Sequence, residues 1–410
     1  MLNIYKIANG EMIKKFLTDI CVNILGTALP LFILQLLILP NVAKNIPKET
    51  YGEMQSLLSL VYIISGTIGT SLSSVRLIKD NDYKENNITA DYAIINRYCM
   101  IFIALIMPVS IFLYLNNIDF LNLLLTTLVA IINYFNLYGQ VGFRLNLDFR
   151  KMFENKFVGG IGYLIGYIIY LKYEFWQIIF MIAFLFQAIH SYAYTRIYKE
   201  KFSKSYKFQS TLKSFYDLSI STLLKKALQY FDKVILLPLL GGEAVSIYFV
   251  ANIFGKLILQ ALEPITNVIL SYISKRKEIS KDIWKYSIIF GTLFCVVLYI
   301  IAMIVSEPIL MIFYPQWMVQ ALPLVPITTL GLCFSTMIAI LYPLSLKTIN
   351  TKKQVYIDGF GIILYIILCL SFYKQYGLVS CCWSLVFAYA LKLILIYILC
   401  HNKKEEDKCV

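Results

Sequence analysis

Stretches of about 20 predominantly apolar residues, the length a helix needs to cross a bilayer core, recur along this chain and are broken only by short polar segments. They fall at 16–39, 51–75, 92–115, 120–143, 157–171, 176–198, 215–237, 245–273, 283–305, 322–346, 355–373 and 379–399, twelve in all. The composition agrees: 59% of the 410 residues are hydrophobic and 15% are charged, against roughly half and a quarter in soluble domains. The fifth stretch has the shortest apolar run and a glycine-rich start, but Gly162 and Gly166 are spaced as a GxxxG pair, which lets a neighbouring helix approach closely. The expected fold is therefore all-α and polytopic, with about twelve transmembrane helices.

The formal net charge is +13, and the placement of the cations says more than their sum. Basic residues gather in alternate connections: Lys6, Lys14 and Lys15; Arg76, Lys79, Lys84 and Arg97; Arg144, Arg150, Lys151 and Lys156; the segments 196–213 and 275–285; Lys347, Lys352 and Lys353; and the tail with Lys403, Lys404 and Lys408. The opposite connections carry only Lys44, Lys48, Lys172 and Lys374 of the 37 Lys and Arg. By the positive-inside rule, both termini are expected in the cytoplasm. The first apolar stretch is too long for a signal-peptide core and lacks a small-residue cleavage site, so it is expected to remain as a helix.

The longest inward connection divides the spans six and six. The expected organisation is an N-terminal six-helix bundle at 1–198, a basic linker at 199–214, a second bundle at 215–400 and a tail at 401–410. The halves also begin alike, with a polar helix, a short outward turn and a helix opening on tyrosine: Pro47-Lys-Glu-Thr-Tyr51-Gly-Glu-Met in one, Gly241-Gly-Glu-Ala-Val-Ser-Ile-Tyr248 in the other. Internal duplication of this kind places binding sites at repeat interfaces. Prolines inside spans, Pro30 among them, are expected to kink their helices. The nine cysteines show no CxxC spacing and are expected to pack as small apolar residues.

Ionisable residues inside spans are the informative minority, because a charge near the bilayer centre costs about 3 kcal/mol unless it faces water or a partner. In the seventh span Lys225, Gln229 and Asp232 share one helix face, flanked by Lys226 and Lys233. The eighth carries Asn252, Lys256, Gln260 and Glu263 at the same spacing, and the first carries Asp19, Asn23, Thr27 and Pro30. Such stripes imply a water-accessible cavity of positive or nearly balanced charge, where a lysine ammonium suits a phosphate or diphosphate. The other reading is that these lysines pair with Asp232 and Glu263 or snorkel to the interface. Arg76, at the inner end of the second span, fits either a positive-inside anchor or a headgroup contact.

Enzymatic constellations are missing. His190 and His401 are the two histidines, and there is no Walker A sequence, no HExxH and no long outward loop of the kind a membrane polymerase would present. No cofactor or metal and no nucleic-acid partner is expected.

The first helix leading to Pro47-Lys-Glu-Thr-Tyr51-Gly-Glu-Met, the second closing on Ser73-Ser-Val-Arg76, the seventh with Tyr230-Phe-Asp232-Lys233-Val-Ile-Leu, and the run Ala244 to Asn252 leading to Glu263-Pro264 together resemble the polysaccharide-transporter branch of the multidrug/oligosaccharidyl-lipid/polysaccharide exporter superfamily. That branch comprises the O-antigen and capsular repeat-unit flippases. The resemblance implies two six-helix bundles around a central cavity, in a bacterial inner membrane. It implies an undecaprenyl-diphosphate-linked glycan as cargo, membrane lipids as surroundings, and polymerase and chain-length proteins of the same pathway as partners. Arg76, Lys225 and Lys256 match the basic residues thought to hold the diphosphate. One departure is the second turn, where a glycine more often precedes Tyr248. A drug or metabolite exporter of the same superfamily and a polysaccharide polymerase are the rival readings; the lysine-rich stripe argues against the first and the missing loop against the second.

Overall fold

The computed structural model describes residues 26, 28–86, 88, 91–115, 119–146, 148–200, 202–253, 255, 281–348 and 351–406. Among these residues every regular element is helical. The longer helices, in chain order, are α1 (Ala28–Asn45), α2 (Lys48–Glu85), α3 (Tyr92–Tyr114), α4 (Phe120–Gly139), α5 (Phe149–Tyr173), α6 (Gln177–Tyr194), α7 (208–240), α8 (242–251), α9 (Lys281–Phe313), α10 (Val325–Thr348), α11 (351–376) and α12 (378–406). Gly241, at φ 82°, separates α7 from α8, and Gly377, at φ 55°, separates α11 from α12. Both lie in the left-handed region that glycine enters without a Cβ penalty.

Nine helical stretches among the described residues are long and apolar enough to cross a membrane. The breaks at Gly241 and Gly377 divide two of them, and α5 adds another, so the twelve-helix expectation holds. The chain is a multi-pass membrane protein. Helix α9 makes the point: Phe290, Leu293, Ile300 and Ile304 are all more than half exposed. Water would penalise such a face, whereas lipid tails solvate it.

The described residues form two compact units. One comprises those of Met1–Ile38 and Ile64–Thr222, the other those of Leu39–Ile63 and Leu223–Val410. Helices α1, α2 and α7 therefore each pass from one unit into the other.

Within the first unit, small and amide-bearing residues hold the helices together, as expected where lipid removes the hydrophobic drive between them. The Gly162–Gly166 pair lets α5 ride on α6: a Cβ at either position would lie 2.7 Å from Ala183 Cα or 2.8 Å from Ile179 Cα. Asn136 donates to Gln187 Oε1 at 2.5 Å, Asn133 to Ser65 Oγ at 2.7 Å, and Asn155 to Ser191 Oγ at 3.1 Å.

Within the second unit, the two turns that open alike in sequence pack against each other. Glu49 accepts from the backbone N–H of Gly242 at 2.8 Å and of Glu243 at 3.0 Å, which satisfies donors at the start of α8. Lys48 pairs with Glu243 at 3.2 Å and donates to Gln320 at 2.7 Å, and Ser246 donates to the Lys48 carbonyl. Tyr51 is fully buried beneath them, edge-on to Trp317 at 4.8 Å and to Phe249 at 5.8 Å. These contacts explain why 39–63, early in sequence, belongs with the C-terminal helices.

Pro30 precedes a π-helical segment, Ile33–Ile38, that ends where the chain leaves the first unit. A proline removes one rung of the α-ladder, and a π turn is a common way to absorb such a break. The cysteine expectation needs one correction: Cys369 and Cys381 form a disulfide between α11 and α12. The pairing brings together residues 12 apart on an antiparallel hairpin, a juxtaposition that no local spacing motif announces. Cys99 and Cys382 do pack as buried free thiols.

Candidate functional site

The second unit encloses a cavity of about 280 Å³. Its wall is built by α7, α8, α10, α11 and α12, and its polar groups include Lys225, Gln229, Asp232, Asn252, Ser335, Asp358 and Lys392. Phenols surround them: Tyr230 and Tyr248, with Tyr342 and Tyr389 from α10 and α12.

Helix α7 supplies the polar stripe read from the sequence. The four- and three-residue steps place Lys225, Gln229 and Asp232 on one face, and that face lines the cavity. Lys225 is exposed at its wall, with its Nζ 4.8 Å from the centre of the Tyr342 ring. Asp232 is buried; one carboxylate oxygen accepts from Tyr248 OH and the other from Lys233 N, both at 2.9 Å. Tyr389 OH donates to the Leu228 carbonyl at 3.3 Å, tying α12 to α7.

Lys233 is buried beside the cavity wall. Its Nζ reaches Ser59 Oγ at 3.3 Å and lies 5.4 Å from the Phe249 ring centre, while Ser56 donates to its carbonyl. Lys226 lies 5.8 Å from the Tyr230 ring centre. Asn252 lines the cavity just past α8; its Nδ2 donates to the Tyr248 carbonyl at 2.9 Å, and its buried Oδ1 receives no hydrogen bond from the described residues. Lys256, Glu263, Asp19 and Asn23 lie outside the described residues.

Arg76 belongs to the first unit. It is buried, donates to Tyr138 OH at 2.7 Å and to Glu200 through both Nη atoms, and sits 4.9 Å from the Tyr92 ring centre. Through its two Nη atoms the guanidinium anchors the segment after α6. Nearby, Asp91 holds the same segment by accepting from Ser205 N at 2.6 Å, from Ser205 Oγ, and from Tyr83 OH at 2.8 Å.

The pair that stands out within the cavity is Asp358 with Lys392, Oδ1 to Nζ at 2.6 Å and 3% and 8% exposed. Neither was among the residues picked from sequence. Each is a lone charge in its apolar span, separated from the other by most of a hairpin. Only the rule that intramembrane charges seek partners could have linked them.

No family model matches the sequence, and no curated protein does. Solved structures do match. The lipid II flippase MurJ, in an inward closed conformation, aligns with a TM-score of 0.73 at 15% identity, covering 93% of this chain and 87% of that one. An inward-facing multidrug resistance MATE transporter of the MOP superfamily aligns at 0.65 and 13% identity, covering 93% of this chain and 99% of that one. The Vibrio cholerae MATE transporter VcmN in its bent form aligns at 0.59 and 12% identity, covering 97% and 99%. The fold is the one these transporter structures share. At such identities the likeness concerns the fold, and the cavity has to be read from its own residues.

Proposed function

We propose that this chain is a flippase that moves undecaprenyl-diphosphate-linked oligosaccharide units from the inner to the outer leaflet of a bacterial inner membrane, for O-antigen or capsule synthesis. The observation that carries the reading is the membrane-embedded cavity with Lys225 and Lys392 on one wall system, among hydroxyl and amide groups. Ammonium groups suit a diphosphate, and phenols and amides suit sugar hydroxyls and ring faces. The fold supports it, since a lipid II flippase aligns over most of its length. Two six-helix halves would work by alternating access, with both termini in the cytoplasm.

A drug exporter on the same fold is the second reading, because Asp232 and Asp358 place carboxylates on the same wall. A cationic drug would need one of them unpaired, yet Asp358 already holds Lys392 and Asp232 already accepts two hydrogen bonds. Deleting the gene tests the choice. A flippase mutant accumulates lipid-linked repeat units on the cytoplasmic face; unpolymerised units in the outer leaflet would instead identify a polymerase, and unchanged glycan would refute the flippase and leave the exporter.

A further inference from the structure

The Asp358–Lys392 pair lines the cavity, is nearly sealed from water, and leaves neither charge free to hold cargo while it stays closed. The described cavity is charge-balanced: Lys225 and Lys392 against Asp232 and Asp358. An entering anion upsets that balance. A lysine already committed to a carboxylate can contact the anion only by leaving its partner, and a carboxylate stranded in an apolar wall is not sustained as an ion.

We propose that the Asp358–Lys392 pair is exchangeable: Lys392 transfers to the diphosphate of the cargo, and Asp358 takes up a proton from water in its place. This rests on the flippase reading and adds the coupling. The ion contact between Asp358 and Lys392 breaks, one between Lys392 and a phosphate oxygen forms, and the proton adds to a carboxylate oxygen of Asp358. Release of the cargo reverses all three. Lys225, exposed at the wall, meets the second phosphate without leaving a carboxylate. Asn252 Oδ1, buried without a donor among the described residues, accepts a sugar hydroxyl. Asp358 rather than Asp232 is the proton acceptor because both Asp232 oxygens are held by donors that stay in place, Tyr248 OH and Lys233 N. The other ionisable groups on the wall are Lys225 and the phenols of Tyr230, Tyr248, Tyr342 and Tyr389.

The test uses the full chain in detergent with the geranyl diphosphate ester of N-acetylglucosamine. Both of its phosphates are esterified, so the ligand itself exchanges no proton near neutrality. Binding is measured by calorimetry and proton uptake by an indicator dye in weak buffer. The wild type is expected to take up about one proton per ligand, with affinity falling about tenfold per pH unit as pH rises. D358N is expected to bind about tenfold more tightly on the alkaline side, with no proton uptake and no pH slope. Because K392M alone strands Asp358, the double variant D358N/K392M is the second probe; it is expected to fold and to bind at least tenfold more weakly than D358N. Binding by the wild type without proton uptake, or uptake that persists in D358N, overturns the exchange and leaves the flippase reading standing. Failure of the wild type to bind the ester also overturns it, and the gene deletion then decides separately whether the flippase reading falls too.

Discussion

At Gly52 the backbone of α2 meets the first residue of α8 so closely that a Cβ would lie 1.8 Å from the Gly242 carbonyl oxygen. Backbone cannot retreat as a flexible side-chain tip can. Gly52→Ala is therefore expected to cost about 1–3 kcal/mol through overpacking, read as a lower thermal midpoint in detergent. Gly359, where an added methyl would meet nothing within 4 Å, is the control: Gly359→Ala should stabilise by about 0.5–1 kcal/mol, since alanine is the better helix former. A drop at both sites would show that the close contact is not the cause. The buried ion pair follows a different rule. Lys392→Met should cost about 3–5 kcal/mol by stranding Asp358, while the neutral double variant should recover most of it; equal losses in the two proteins would argue that the pair contributes little.

Among the elements, α8 begins with donors that its own helix cannot satisfy, and Glu49 from the neighbouring turn accepts two of them. Glu49→Ala should cost about 1 kcal/mol, the usual value of such a cap, and Glu49→Gln should cost less because one acceptor oxygen remains. Unfolding midpoints of the two variants test this order. In the first unit the amide contacts between helices are individually modest, about 0.6 kcal/mol each in membrane proteins. Asn136→Leu should therefore be tolerated, whereas Gly162→Val, which drives a side chain into the α6 backbone, should not. If Asn136→Leu proved the more damaging, the hydrogen bond from α4 to α6 would matter more to this unit than the close approach of α5 and α6.

For the whole molecule, the prediction is functional: Lys225→Ala should abolish surface glycan while the protein remains in the membrane at normal abundance, as scored by glycan blotting beside an immunoblot. Normal glycan would remove Lys225 from the cargo site. The helices themselves were legible in the sequence, because a bilayer demands internally hydrogen-bonded backbone over a fixed length and so writes its thickness into the chain. The stripe Lys225, Gln229, Asp232 was legible too, since three residues on one helix share a face by periodicity alone. Partners from different helices were not. Asp358 and Lys392 meet across a hairpin, Cys369 and Cys381 bond across the same hairpin, and Arg76 finds Glu200 in a segment more than a hundred residues away. The sequence by itself determined the number of helices, their apolar surroundings and which faces carry charge. Only the tertiary structure decided which charges neutralise one another and which line a cavity, because pairing depends on distances in space that local periodicity does not encode.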